Sequence, residues 1–230
     1  MNKIYHIDCT LRDGGYYNSW NFNDKVVKKY LEAMSNLDID YVEFGFRFLK
    51  DTSNLGPFAS TSDKLINKYK IPKELKIAVM INIGEFSMEN LKIDLDKLFL
   101  NSKKSKVKLV RIASHKNEIE IAIQAAKILK KKGYFVAINL MQISEININF
   151  LSKILKKFEG KFLDCFYFAD SLGSLSVDKT KKICQTIKKN WNGPFGIHAH
   201  DNTEIALHNT IISLKNNKIL IVISHSDEIT

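Results

Sequence analysis

The chain has 230 residues, 45% of them hydrophobic, and a net charge of +10 from 35 basic and 25 acidic side chains, so it can bury a large core and is not disordered. Its lysines are spread over the outer faces of predicted helices, as in Lys130-Lys131-Lys132, Lys156-Lys157 and Lys188-Lys189, and form no single stripe. Nucleic-acid binding is set aside on that ground, and no apolar run reaches the roughly 20 residues of a membrane span.

Cys9, Cys165 and Cys184 are odd in number and lack metal-type spacing, which suits a reducing compartment with thiols packed as small apolar groups. With no signal peptide ahead of the first strand, a cytoplasmic protein is expected.

Ile4 to Leu11 alternates as a strand and runs into Arg12-Asp13-Gly14-Gly15, which reads as a Gly-relieved turn. Asp24 to Leu37 has helical spacing, with Asn23 or Asp24 as its cap. Tyr41 to Phe46 is a strand, Arg47 to Ser62 an irregular segment with one helical turn at most, and Lys64 to Lys70 a short helix.

From there strands and helices alternate: strand Lys76 to Asn82 and helix Ser87 to Leu100, strand Val107 to Ala113 and helix Asn117 to Lys132. Strand Phe135 to Leu140, helix Ile146 to Phe158, strand Leu163 to Ala169 and helix Val177 to Asn190 follow. Strand Phe195 to His200, helix Thr203 to Leu214 and strand Lys218 to Ser224 end the pattern.

Eight strands and seven helical segments, with strand starts about every 30 residues, are the βα units of a parallel sheet with helices outside it. Eight units favour a closed (β/α)8 TIM barrel over an open sheet, and the whole of 1–230 reads as one domain. No Gly-x-Gly-x-x-Gly fingerprint suggests a dinucleotide.

In a barrel the C-terminal strand ends meet on one face, where active sites lie. Those ends present Arg12 and Asp13, then Glu43, Asn82, His115, Asn139 and Gln142, Asp170, and finally His198 and His200. Side chains two apart on a strand share a face, roughly 7 Å apart at Cα, so His198 and His200 aim into one space. Such a pair suits a divalent metal completed by a carboxylate or water, or else forms a hydrogen-bonded polar strand end; the residues alone leave both open.

Two distant motifs narrow the choice. Asp8-Cys-Thr-Leu-Arg-Asp-Gly-Gly15 resembles the first-strand signature of the DRE-TIM metallolyases, which include pyruvate aldolases, isopropylmalate and homocitrate synthases and hydroxymethylglutaryl-CoA lyase. His198-Ala-His-Asp-Asn-Thr-Glu-Ile-Ala-Leu-His-Asn209 resembles their seventh-strand motif, Asp170-Ser-Leu-Gly173 the end of their sixth strand, and Val42-Glu-Phe-Gly45 that of their second.

The resemblance implies that Asp13, His198 and His200 hold a divalent cation (Mn²⁺, Mg²⁺ or Co²⁺) and that Arg12 binds the oxygen that becomes an enolate. A salt bridge closing the first loop is the alternative for Arg12 and Asp13. Asp170 and Ser171 are candidate substrate contacts, though Asp170 could instead orient a ligand or cap the loop. Glu43 is a candidate base or substrate contact, or a rim carboxylate. Asn209 is expected to secure the loop below the histidines.

The chain departs from the resemblance in three ways. Pyruvate aldolases carry a basic histidine two residues beyond the Gly of the first motif, where this chain has Tyr16, a poor base near its ordinary pKa of about 10. His115 is the alternative base. Condensing enzymes have Gly-Glu-Gln after Arg-Asp, and this chain has Gly-Gly-Tyr, which counts against isopropylmalate synthase. After the eighth strand the sequence continues only through His225 to Thr230, so no closing helix is expected in it. An uncovered flank between first and last strands is then expected, to be covered by a homodimer partner.

The expected function is a metal-dependent aldolase or lyase acting on a 2-oxo acid such as pyruvate. A Claisen-type acyl-CoA condensing enzyme and a non-catalytic barrel are the alternatives.

Overall fold

The computed structural model describes residues 4–158, 162–215 and 220–223, the last group as backbone only. Eight parallel strands close into a barrel in chain order: β1 (Tyr5–Asp8), β2 (Tyr41–Phe46), β3 (Lys76–Asn82), β4 (Val107–Ser114), β5 (Phe135–Leu140), β6 (Cys165–Asp170), β7 (Phe195–Ala199) and β8 (Leu220–Ile223). Strand β8 seals the ring by pairing with β1 from Tyr5↔Leu220 to Asp8↔Ile223, and with β7 at His198↔Val222. The expected strand from Lys218 to Ser224 thus holds over Leu220–Ile223, while its flanks and His225 to Thr230 lie outside the described residues.

Helices α1 (Thr10–Asn18), α2 (Asp24–Ser35), α3 (Asp63–Asn67), α4 (Leu91–Leu98), α5 (Ile119–Lys131), α6 (Ile148–Lys156), α7 (Val177–Asn190) and α8 (Ala206–Lys215) link the strands. None among the described residues is long and apolar enough to cross a membrane.

Strands β2 to β6 feed two apolar layers. Outward-facing Val42, Phe44, Val79, Ile81, Val110, Ile112, Val136, Ile138, Phe166 and Phe168 pack in the main cluster with Leu95, Ala122, Leu129, Leu151 and Ile183 of the helices. Inside, Ile7, Cys9, Tyr41, Ala78, Leu109, Ala137, Cys165 and Tyr167 plug the lower barrel. Strands apolar on both faces give near-continuous apolar runs, which is why their ends could be read from sequence.

The segment after β1 differs from its expectation. Arg12 to Gly15 form no turn: they lie within α1. Asp8 Oδ1 accepts from the Thr10 amide (2.9 Å) and the Tyr30 hydroxyl (2.5 Å), which ends β1, and the Asp13 amide donates to Cys9 O at 2.8 Å in the first helical turn. Gly15 is needed for a close approach: an added Cβ would stand 2.0 Å from Trp20 Cδ1.

Candidate active site

The C-terminal mouth of the barrel holds a cavity of about 210 Å³. Alternate inward positions climb each strand from the apolar plug to this cavity: Ala78 leads to Met80 and Asn82, Ala137 to Asn139 and Met141, and Tyr167 to Ala169 and Ser171. Arg12, Asp13, His198 and His200 line it as well.

Arg12 sits in the first turn of α1, buried, with its carbonyl accepting from Trp20 Nε1 at 3.0 Å. Its Nη1 donates to the neighbouring Asp13 carboxylate, and its Nε to Glu43 Oε2 at 2.9 Å. The Arg12–Asp13 salt bridge, the alternative reading of this pair, is present, but within a helix rather than closing a loop.

Glu43 is no rim carboxylate. It is 0% exposed and receives a second guanidinium, Arg111 Nη1 donating to Oε1 at 3.2 Å and Oε2 at 3.0 Å. Burial opposes its charge, but Arg111 and Arg12 outweigh burial and hold its carboxyl below the usual range. For Arg12, burial pulls the pKa down, and Asp13 and Glu43 more than restore it, so the guanidinium stays charged. The Asp13 carboxyl is pushed up by burial, with Arg12 pulling the other way.

His198 and His200 present their rings 5.0 Å apart at the centroids, so the shared face expected of a His-x-His strand end is present. His198 Nε2 lies 3.9 Å from Asp13 Oδ2, across the nearly two hundred residues that separate them in sequence. Burial, then the charges of Arg12 and Arg111, hold the His198 pKa well below the ordinary histidine value. The ring is a neutral donor, and its Nδ1 is buried without a hydrogen-bond partner among the described residues.

Among the described residues no three His, Cys, Asp or Glu side chains already form a metal cage; Asp13 Oδ1 accepts from Arg12, and Oδ2 faces His198 at 3.9 Å. The donor types nonetheless fit a divalent cation: two imidazoles, one of them neutral with an unpartnered buried nitrogen, and a carboxylate at one cavity.

The other sequence candidates divide. Tyr16 lines the cavity from α1, against Trp20 (4.9 Å between centroids), and partial burial pushes its phenol pKa up despite the pull of Arg12. Ser171 lines it too, its Oγ accepting from the Gln142 amide at 3.1 Å. Asp170 does not: its carboxylate is occupied by the Ser174 and Leu175 amides, both at 3.0 Å, the arrangement of a loop cap.

His115 lines a separate hollow of about 120 Å³ with Lys116, Gln142 and Glu145, and only Met141 borders both. Asn209 is buried, but it ties Leu175 O (2.6 Å) to Thr180 Oγ1 (2.9 Å), holding α8 to the loop before α7 rather than the histidine loop.

Three residues that matter here carry no motif. Phe46 and Phe48 stack at 4.4 Å and form an apolar wall beside Arg12, and Arg111 pairs with Glu43. The available signal for Arg111 was a lone charge within the apolar run Leu109-Val110-Arg111-Ile112.

Comparison with known proteins agrees with this architecture. The HMGL-like family matches residues 3–219. The 4-hydroxy-2-oxovalerate aldolase of Carboxydothermus hydrogenoformans is 28% identical over 217 residues, covering 93% of this chain and 62% of that protein. The chain spans about 60% of the length of such curated relatives.

Among solved structures, the N-terminal domain of a candidate aldolase from Bacteroides vulgatus is 33% identical with a TM-score of 0.79, over 95% of this chain and 72% of that one. The HMG-CoA lyase of Brucella melitensis shares the fold at 11% identity, with a TM-score of 0.71 over 96% of this chain and 81% of that one.

Proposed function

The chain belongs to the HMGL-like family, and we propose that it is a divalent-metal-dependent carbon–carbon lyase that breaks or forms the bond next to the enolate of a 2-oxo acid such as pyruvate. The observation that carries this reading is the meeting of Arg12, Asp13, His198 and His200 around one cavity at the barrel mouth. Asp13, His198 and His200 would hold Mn²⁺, Mg²⁺ or Co²⁺. When bound, such a cation supplies Lewis-acid polarisation of the 2-oxo carbonyl.

The chain's own residues account for the rest. Arg12 is oriented before substrate arrives by Glu43 on its Nε, so its charge is aimed at the developing enolate oxygen. Asn82, Asn139 and Ser171 offer hydrogen bonds to a carboxylate at the same cavity. Asn139 spends Oδ1 on Arg111 at 3.3 Å, which leaves its Nδ2 donor unspent by that contact.

Phe46, Phe48, Met80 and Met141 give the same cavity its apolar surface. Tyr16, its pKa raised, keeps its proton at Oη near neutrality and can donate it but not act as a base. A cytoplasmic location and a homodimer belong to the same proposal, and a monodisperse monomer in sedimentation would remove the dimer.

The test is pyruvate release from 4-hydroxy-2-oxo acids with and without Mn²⁺. Metal-dependent release is expected. No release, with thiol liberated from acetyl-CoA plus a 2-oxo acid, would move the protein to the condensing enzymes, and neither activity would leave a non-catalytic barrel.

A further inference from the structure

We propose that Arg111 is a positioning residue for anion capture: by sharing the buried Glu43 carboxylate, it frees the charge of Arg12 to act on a substrate in the cavity. The inference rests on the lyase reading above and names how its arginine is kept effective.

The geometry is that of a built device. Arg111 is 0% exposed in the middle of β4 and does not itself line the cavity. Its guanidinium is fixed on four sides: by both Glu43 oxygens, by Asn139 Oδ1 at 3.3 Å, by Cys9 Sγ at 3.6 Å and by the Tyr167 ring 4.8 Å from Cζ. A buried charge is costly, and an apolar side chain would fill this layer of the barrel more cheaply, as Ala137 and Cys165 do below it.

Charge balance explains why an arginine stands here. Arg12, Asp13 and Glu43 together carry one net negative charge before any cation is counted, which offsets the attraction of the site for a carboxylate. Arg111 brings the group to neutrality. Glu43 then serves two guanidiniums at once, orienting Arg12 through Nε at 2.9 Å without cancelling it. Arg111 therefore acts on substrate only through Glu43 and Arg12.

The experiment measures pyruvate affinity of the Mn²⁺-loaded protein by quenching of tryptophan fluorescence, since Trp20 donates to the Arg12 carbonyl. Unfolding midpoints are recorded alongside. Arg111→Gln is expected to weaken pyruvate binding about tenfold or more, the effect of one unit charge over roughly 10 Å at an effective dielectric near 20. Arg111→Lys, which keeps the charge, is expected to stay within about threefold of wild type.

Glu43→Gln should act in the opposite direction, binding pyruvate more tightly while turnover falls because Arg12 loses its anchor; it decides the matter if Arg111→Gln does not fold. Loss of stability alone would not reverse sign between these variants. Wild-type affinity in folded Arg111→Gln, or no tightening in Glu43→Gln, overturns the proposal. A wild-type protein that binds Mn²⁺ but no pyruvate overturns the functional reading, and this one with it.

Discussion

The two glycines of the first motif are adjacent in sequence but should respond to alanine with opposite signs. Both lie in α1 with helical backbone, so each Gly→Ala change gains roughly 0.5–1 kcal/mol of helix propensity. At Gly14 the nearest atom to a new Cβ is Phe22 Cζ at 3.8 Å, an ordinary contact. At Gly15 the same methyl would stand 2.0 Å from Trp20 Cδ1 and 2.1 Å from Nε1, so the indole must move by more than an ångström.

Overpacking of that kind costs about 1–3 kcal/mol. Breaking the Trp20–Arg12 carbonyl bond adds about 1 kcal/mol or more, and disturbing the edge contacts of Trp20 with Phe46 (5.8 Å) and Phe48 (5.4 Å) adds about 0.5–1.5 kcal/mol. Gly14→Ala should therefore be stabilised by about 0.5–1 kcal/mol and Gly15→Ala destabilised by about 2–4 kcal/mol net of propensity. Urea unfolding followed by circular dichroism measures both. Equal shifts of the same sign would refute the helical path of the motif and the packing of Trp20 on it.

Glu43 should leave its mark on acid stability. Its folded pKa lies below the unfolded value of about 4.3, so its contribution is fully present above roughly pH 5 and is lost as pH falls through the folded value. Urea unfolding between pH 6 and 3 is expected to show a steeper acid decline for wild type than for Glu43→Gln; parallel declines would contradict the paired, charged carboxylate. Asn209→Ala strands Leu175 O in a buried site, while Thr180 Oγ1 keeps Ser176 O as acceptor, and should cost about 1–3 kcal/mol in the same assay. A loss under about 0.5 kcal/mol would mean that α8 is held by other contacts.

The barrel was legible because β2, β3, β5 and α7 are bounded by breakers and caps that leave little choice of ends. Ser176, whose side chain accepts from the Lys179 amide, caps α7 where its spacing begins, and Asn23 caps α2 in the same way. α1 was not legible, because a segment containing Gly14 and Gly15 has poor helix propensity. Tertiary packing of Leu11 and Trp20 overrides that propensity.

The cavity-lining Arg12, Asp13, Tyr16, Ser171, His198 and His200 were visible because motif residues at strand ends must share the mouth. Strand-end order does not fix where around the mouth a side chain lands, which is why His115 falls in the neighbouring hollow and Asp170 turns back onto its own loop. Nor does it give depth, so Glu43 could be read as a rim group although it is fully buried behind the cavity lining, between Arg12 and Arg111.

Equilibrium dialysis of the purified protein against Mn²⁺, with metal counted by atomic absorption, bears most directly on the shared cation. One equivalent per chain is expected for wild type, with at least a tenfold weaker affinity in Asp13→Ala, His198→Ala and His200→Ala, since each removes one of three donors. A folded wild-type protein that retains no Mn²⁺, Mg²⁺ or Co²⁺, or three variants that hold Mn²⁺ as tightly as wild type, would contradict the account.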